Sequence, residues 1–154
     1  ISSATIIQHV TDGIKLAKEH HLPPEIKAFI LEHHGTTLTR YQFRQAVEEV
    51  GGEEFVEKSL FQYPGPIPQS KETALLMLAD GTEARIRSEN PQTIEEIRSI
   101  VENSINYYLR IGQLNHADLT LLDIQKVIKS FSRTLSNTYH HRIKYPDQYL
   151  KANS

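Results

Sequence analysis

Apolar side chains recur at the helical spacing in nearly every segment of this chain, and nowhere do they alternate as a half-buried strand would. That pattern is the strongest constraint, because apolar stripes of 3.6-residue period are buried by packing helix on helix. Ile6, Ile7, Val10, Ile14 and Ala17 make one stripe over roughly 4–20, behind Ser2 or Ser3 as capping candidates. "LPPE" then breaks the chain and suits the first turn of a helix over roughly 24–34, stopped by Gly35. A third helix is expected over roughly 39–50 after Thr37 or Thr39, ending at Gly51-Gly52, with a short fourth over about 53–59.

"QYPGPIPQ" reads as a rigid, extended loop. Ser70 opens a long helix through about Arg87. Thr93 with Glu96 three residues on forms a capping box before Ile94, Ile97, Val101 and Ile105, and Gly112 closes that helix. Thr120 caps the last, whose stripe is Ile124, Val127, Ile128, Phe131 and Leu135. The expectation is an all-α chain, one domain of about seven helices over roughly 1–146, with a 147–154 tail.

Composition narrows the chemistry. There are no cysteines among the 154 residues, which removes disulfides, thiolate zinc sites and iron–sulfur clusters. A formal charge of -2 gives no attraction to bulk nucleic acid or an anionic membrane. No apolar run approaches the ~20 residues of a membrane span. The opening "ISSATII" is what a piece of a longer protein would show.

The eight histidines carry the functional signal. His9 lies near Ile6 and Ile14 on the first stripe, and His33-His34 close the apolar face of Ile26, Phe29 and Ile30. Asp80 sits in "TALLMLADGTEAR" near Leu76 and Met77, and is expected on a buried face, where a carboxylate needs a cation or several donors. Imidazoles plus a carboxylate suit iron, manganese, cobalt, nickel or zinc. The competing reading is structural: hydrogen-bonded core histidines or helix-end caps, with Asp80 paired to Arg40 or Arg85. His20-His21 read as an exposed helix end, His116 as a loop residue and His140-His141 as surface. Lys71 and Arg87 are cations placed to meet an anion, or else parts of a solvated face.

The blocks "IIQHVTDGIKLAKEHHLPPEIKAFILEHHGTTLTRYQF", "FQYPGPIPQSKETALLMLADGTEARIR", "GQLNHADLTLLDI" and "YHHRIKYP", in that order, resemble the cytoplasmic HD domain of seven-transmembrane HD phosphodiesterases. The resemblance implies an HD-type helical domain that hydrolyses cyclic di-AMP to the linear dinucleotide. By position His9 resembles the family's single His, His33 and His34 its His-His pair, and Asp80 its final Asp, all metal ligands; no further catalytic residue is implied. The family's first His and its His-Asp pair would fall before residue 1. The implied cofactors are therefore two divalent iron or manganese ions in the intact domain, and one or none in this chain.

The same resemblance implies substrate contacts from Lys71 or Arg87 to phosphate, from Tyr63 or Tyr41 to adenine, and from Thr36 in "HHGTT" as part of the pocket. It implies a cytoplasmic domain of a bacterial inner-membrane protein, joined to the membrane only through segments outside this chain, and self-association, as a homodimer, is expected. The alternative is a degenerate nucleotide-sensing or signal-relay domain without catalysis. If the metal reading holds, the side chains of His9, His33, His34 and Asp80 converge within about 10 Å.

Overall fold

The computed structural model describes residues 2–139. Six α-helices and two 3-10 turns carry them, with no strand among the described residues. Helix α1 (Ser3–Glu19) starts where Ser2 Oγ accepts from the Thr5 N–H at 3.3 Å. Helix α2 (Pro24–Glu32) has proline in its first turn, where no amide donor is needed. Helix α3 (Arg40–Val50) ends at Gly51 in the left-handed conformation (φ 81°). The expected fourth helix is two 3-10 turns instead, Glu53–Phe55 and Lys58–Phe61. Two or three residues of helical stripe are too few to hold an α-helix together.

Helix α4 spans Lys71–Glu89, α5 spans Ile94–Arg110 and α6 spans Leu121–Tyr139. The capping box ahead of α5 forms as the sequence requires: Thr93 Oγ1 accepts from Glu96 N at 3.1 Å, and Glu96 returns a carboxylate oxygen to Thr93 N. Thr120 and Asp123 make the equivalent reciprocal pair ahead of α6, both bonds at 3.0 Å. Thr39 departs from expectation. Its hydroxyl does not cap α3 but bonds Ser3 Oγ at 2.7 Å and the Phe61 carbonyl at 3.1 Å, tying the start of α1 to the second 3-10 turn.

The chain groups into two compact units, a division no linker announces in the sequence. The first holds residues up to Leu78 together with Tyr108–Leu119, and its core includes Val10, Ala17, Phe43, Tyr63, Ala74, Met77 and Leu114. In it α1 packs on α2 and on the second 3-10 turn. The loop before α3 is stitched to the loop after the 3-10 turns by Thr39 N donating to Phe61 O and Tyr63 N to Thr37 O, at 2.8 and 2.9 Å, around an isolated Leu38–Gln62 bridge. The second holds Ala79–Tyr107 and, among the described residues, those from Thr120 to Tyr139, with a core of Ile86, Ile97, Ile100, Val101, Ile105, Ile124 and Val127. His140-His141 and the 147–154 tail lie outside the described residues.

The two kinds of support predict different penalties. Thr93→Ala removes one exposed cap and should lower stability by ~1 kcal/mol. Ile97→Ala empties a fully buried site and should cost about 2–5 kcal/mol. Urea unfolding of both variants measures the contrast.

Candidate metal centre

Three imidazoles meet in the first unit. His9 is exposed on α1, while His33 and His34, half-buried, lie in the turn just past α2. One ring nitrogen from each falls within 4.8 Å of the other two. The ring centroids are 5.4 Å apart for His9–His33, 5.0 Å for His9–His34 and 4.0 Å for His33–His34.

The approach of α1 to α2 makes this possible. A Cβ added to Gly13 would lie 2.9 Å from Ile30 Cγ2, so only glycine lets the helices come this close without displacing Ile30. Gly13 is one turn after His9 on α1, and Ile30 is about one turn before His33 on α2. Running in opposite senses, the helices bring His9 and His33 together one turn from their closest approach.

Backbone hydrogen bonds then orient both rings. His9 Nδ1 lies 2.5 Å from Ile6 O, and His33 Nδ1 lies 2.8 Å from Ile30 O. A carbonyl only accepts, so each Nδ1 carries the proton and the lone pair of the neutral ring falls on Nε2. The two Nε2 atoms face each other at 3.3 Å. Two lone pairs so placed repel unless a proton or a cation lies between them. Nitrogens held 2.0–2.1 Å from one ion at tetrahedral or octahedral angles stand about 2.8–3.4 Å apart. The donor set therefore fits a divalent transition metal, and the Nδ1–carbonyl bonds are the outer contacts that commonly fix a metal-binding imidazole.

His34 is the neutral partner. Burial, and then the neighbouring His33 and His9, lower its pKa from 6.5 to about 3. Its nitrogen is thus available to a metal at neutral pH without first losing a proton. Tyr63, 7% exposed, stacks on it with centroids 4.3 Å apart and an interplanar angle of 24°.

Sequence reasoning missed the clamp beneath this turn. Gln113, 4% exposed, accepts from Thr36 N at 2.9 Å through Oε1 and donates from Nε2 to Thr36 Oγ1 at 2.8 Å. Gly35 between the histidines and the clamp has φ 50°, and a Cβ there would stand 2.3 Å from Gln113 Oε1 and 2.7 Å from Met77 Cε. The left-handed backbone is what favours glycine here, and the tips of Gln113 and Met77 occupy the space it leaves. Nothing in the sequence marks Gln113, which stands in a turn of mixed polar and apolar residues, RIGQLNHAD.

Asp80 belongs to the second unit and is exposed on α4, so the buried face expected for it is corrected. The buried stripe of α4 runs through Thr73, Ala74, Met77, Leu78, Thr82 and Ile86, and Asp80 shares its side of the helix with the exposed Leu76. Arg85 pairs with Glu89, and Arg87 pairs with Glu83 at 3.0 Å. Lys71 is exposed in the first turn of α4. Thr36 has its N–H, hydroxyl and carbonyl engaged by Gln113 and Gln62. His20 and His21 are exposed at the end of α1, and His116 is an exposed loop residue beside Gln69.

A helical domain with three oriented imidazoles on one face carries the donor set of a candidate metal centre. No model of a known protein family matches the chain. Single proteins do. The cyclic-di-AMP phosphodiesterase PgpH of Bacillus subtilis (strain 168) is 36% identical over 147 residues, covering 96% of this chain and 20% of that protein. PgpH of Listeria monocytogenes serotype 1/2a is 36% identical over 142 residues, covering 92% of this chain and 19% of that protein. The crystal structure of the L. monocytogenes PgpH HD domain in complex with cyclic-di-AMP matches with a TM-score of 0.83 and 34% identity, over 93% of this chain and 66% of that one. The chain is an HD domain of the PgpH type, and it spans about a fifth of the length of the curated relatives it matches.

Two measurements test the centre. His34 stays unprotonated in the folded domain down to about pH 3, whereas the unfolded chain takes up that proton near 6.5. Protonation therefore favours unfolding through that window: the stability is complete above about 6.5 and falls as the pH drops. The metal-free domain should lose stability between pH 7 and pH 5, and a His34→Gln variant should lose visibly less. Gln113→Ala leaves the Thr36 amide without its partner and should cost ~1–3 kcal/mol, read as a lower urea midpoint together with weaker metal binding.

Proposed function

We propose that this domain hydrolyses cyclic di-AMP to the linear dinucleotide with divalent transition-metal ions, iron or manganese, two of them in the intact domain. The observation that carries the metal reading is the pair of Nε2 atoms facing each other at 3.3 Å, each with its Nδ1 proton held by a helix carbonyl. The substrate reading is supported by 36% identity to PgpH phosphodiesterases and by the similar HD domain bound to cyclic-di-AMP. His9, His33, His34 and Asp80 are the proposed ligands; ring nitrogens of the three histidines lie within 4.8 Å of one another.

When bound, such ions polarise phosphoryl oxygens and lower the pKa of coordinated water. The reaction adds water across one P–O3′ bond: the hydroxyl oxygen goes to phosphorus and a proton to the leaving 3′ oxygen. The chain's own residues bind and orient. His9 and His33 keep their tautomers through the Ile6 and Ile30 carbonyls, and Tyr63 backs His34 and limits its tilt. Lys71 and Arg87 are proposed for the phosphates, Arg87 exchanging its Glu83 partner for the substrate. Tyr41, 68% exposed, offers an open ring face to adenine, whereas one face of Tyr63 is already on His34. Thr36 shapes the pocket wall through its fixed backbone.

We further propose that the domain is the cytoplasmic part of a membrane-anchored bacterial protein; among the described residues no helix is long and apolar enough to cross a membrane. Self-association is proposed through the exposed Leu16, Leu22, Ile26 and Leu31, and light scattering tests it. For the activity, a protein carrying this domain is supplied with manganese or iron, and the linear dinucleotide is followed by chromatography. His34→Ala should lower kcat/KM at least ~30–100-fold, the equivalent of about 2–3 kcal/mol, and Asp80→Ala should lower it as well. Full activity in the His34 variant refutes the mechanism. Tight cyclic di-AMP binding with no turnover in the metal-loaded protein would make it a sensor.

A further inference from the structure

In the second unit a groove of about 370 Å³ runs between the first turns of α5 and the C-terminal half of α6. Three cations line it, Arg98 from α5 with Lys129 and Arg133 from α6, against one carboxylate, Glu95. Lys129 and Arg133 stand four residues apart on one helix, where like charges repel. Among the described residues none of the three cations has an ion pair or a hydrogen bond. Glu96, the other acid in this turn, is already engaged by the amides of Gln92 and Thr93. The mouth of the groove also lies at the start of α5, where the first-turn N–H groups favour negative charge.

A second observation points to a ligand. Ser132 lines the groove, is 8% exposed, and its Oγ has no hydrogen-bond partner among the described residues. A buried hydroxyl without a partner is uncommon and calls for an acceptor. Ser136, one turn further along α6, lines the same wall. Concave, cationic and furnished with hydroxyl donors, the groove has the volume of a small-molecule site.

We propose that this groove binds a small phosphate-bearing anion of diphosphate size, with Arg98, Lys129 and Arg133 supplying the charge and Ser132 a hydroxyl donor. It uses none of the residues proposed for hydrolysis. A concave wall with a buried donor suits a ligand that enters it, which a flat membrane surface does not.

Inorganic pyrophosphate, titrated calorimetrically into the chelator-treated protein, tests the assignment. Saturable one-to-one binding is expected, weakening as salt is added. Arg98→Gln with Arg133→Gln should weaken it at least tenfold without lowering the melting temperature, since both side chains are exposed and unpaired among the described residues. Ser132→Ala should weaken it several-fold, again with no loss of stability. His33→Ala with His34→Ala should leave it unchanged, which separates this groove from the metal centre. The proposal is overturned by absence of saturable binding at millimolar pyrophosphate, or by equal losses in a Lys15→Gln, Lys18→Gln control on α1. It is likewise overturned if binding disappears with the histidine pair. Vesicles containing phosphatidylglycerol form the last arm: arginine-dependent sedimentation with vesicles, without pyrophosphate binding, would assign the groove to a lipid surface instead.

Discussion

An imidazole that donates its Nδ1 proton to a carbonyl of its own helix has one nitrogen left, with a lone pair and a fixed direction. His9 and His33 both do this, through Ile6 and Ile30, and the nitrogens left over are aimed at one another. The bonds are local, three residues back along the chain in each case, so neither ring's tautomer depends on the other helix. Packing α1 on α2 then decides whether two oriented lone pairs coincide. Two lone pairs so aimed repel unless a proton or a cation lies between them. Much of the first unit can be read as the scaffold that keeps this convergence in place.

That scaffold relies on small residues at two points. Gly13 sets the helix separation, and Gly35 turns the chain immediately after the histidine pair. Around them the holding contacts are polar and specific: Gln113 on Thr36, Thr37 Oγ1 on the His34 carbonyl at 2.7 Å, and Tyr63 stacked on the His34 ring. Glu32, buried just before the pair, accepts from Gln69 N at 2.9 Å and so ties the end of α2 to the lead-in of α4. A turn fixed from several sides loses little further conformational freedom when it binds a ligand, which is the benefit of preorganisation.

The second unit is built differently. Its core is a run of isoleucine and valine from α4, α5 and α6, with reciprocal capping boxes at the start of α5 and α6. Apolar packing of this sort is indifferent to surface charge, so the unpaired cations lining the α5–α6 groove are not needed to hold the helices together. That freedom is why they are informative about binding rather than about folding.

The order of the amino acids settled the local physics. The helical stripes, the proline opening α2, the capping boxes at Thr93 and Thr120, and the stops at Gly51 and Gly112 depend on neighbours within a few residues, and those elements formed within a residue or two of where the pattern put them. His9, His33 and His34 were legible as candidates because imidazoles stood where leucine would be ordinary. Three things were not legible. On a straight helix His33 and His34 would point about 100° apart; α2 ends at Glu32 instead, and the turn beyond it lets both rings face His9. The burial of Asp80 was misjudged because Leu76 and Met77 look alike in sequence, yet only Met77 is on the packed side of α4. Gln113 was invisible because its partner lies 77 residues away. A hydrogen bond across that separation leaves no periodicity in the chain, so only the tertiary fold could decide it.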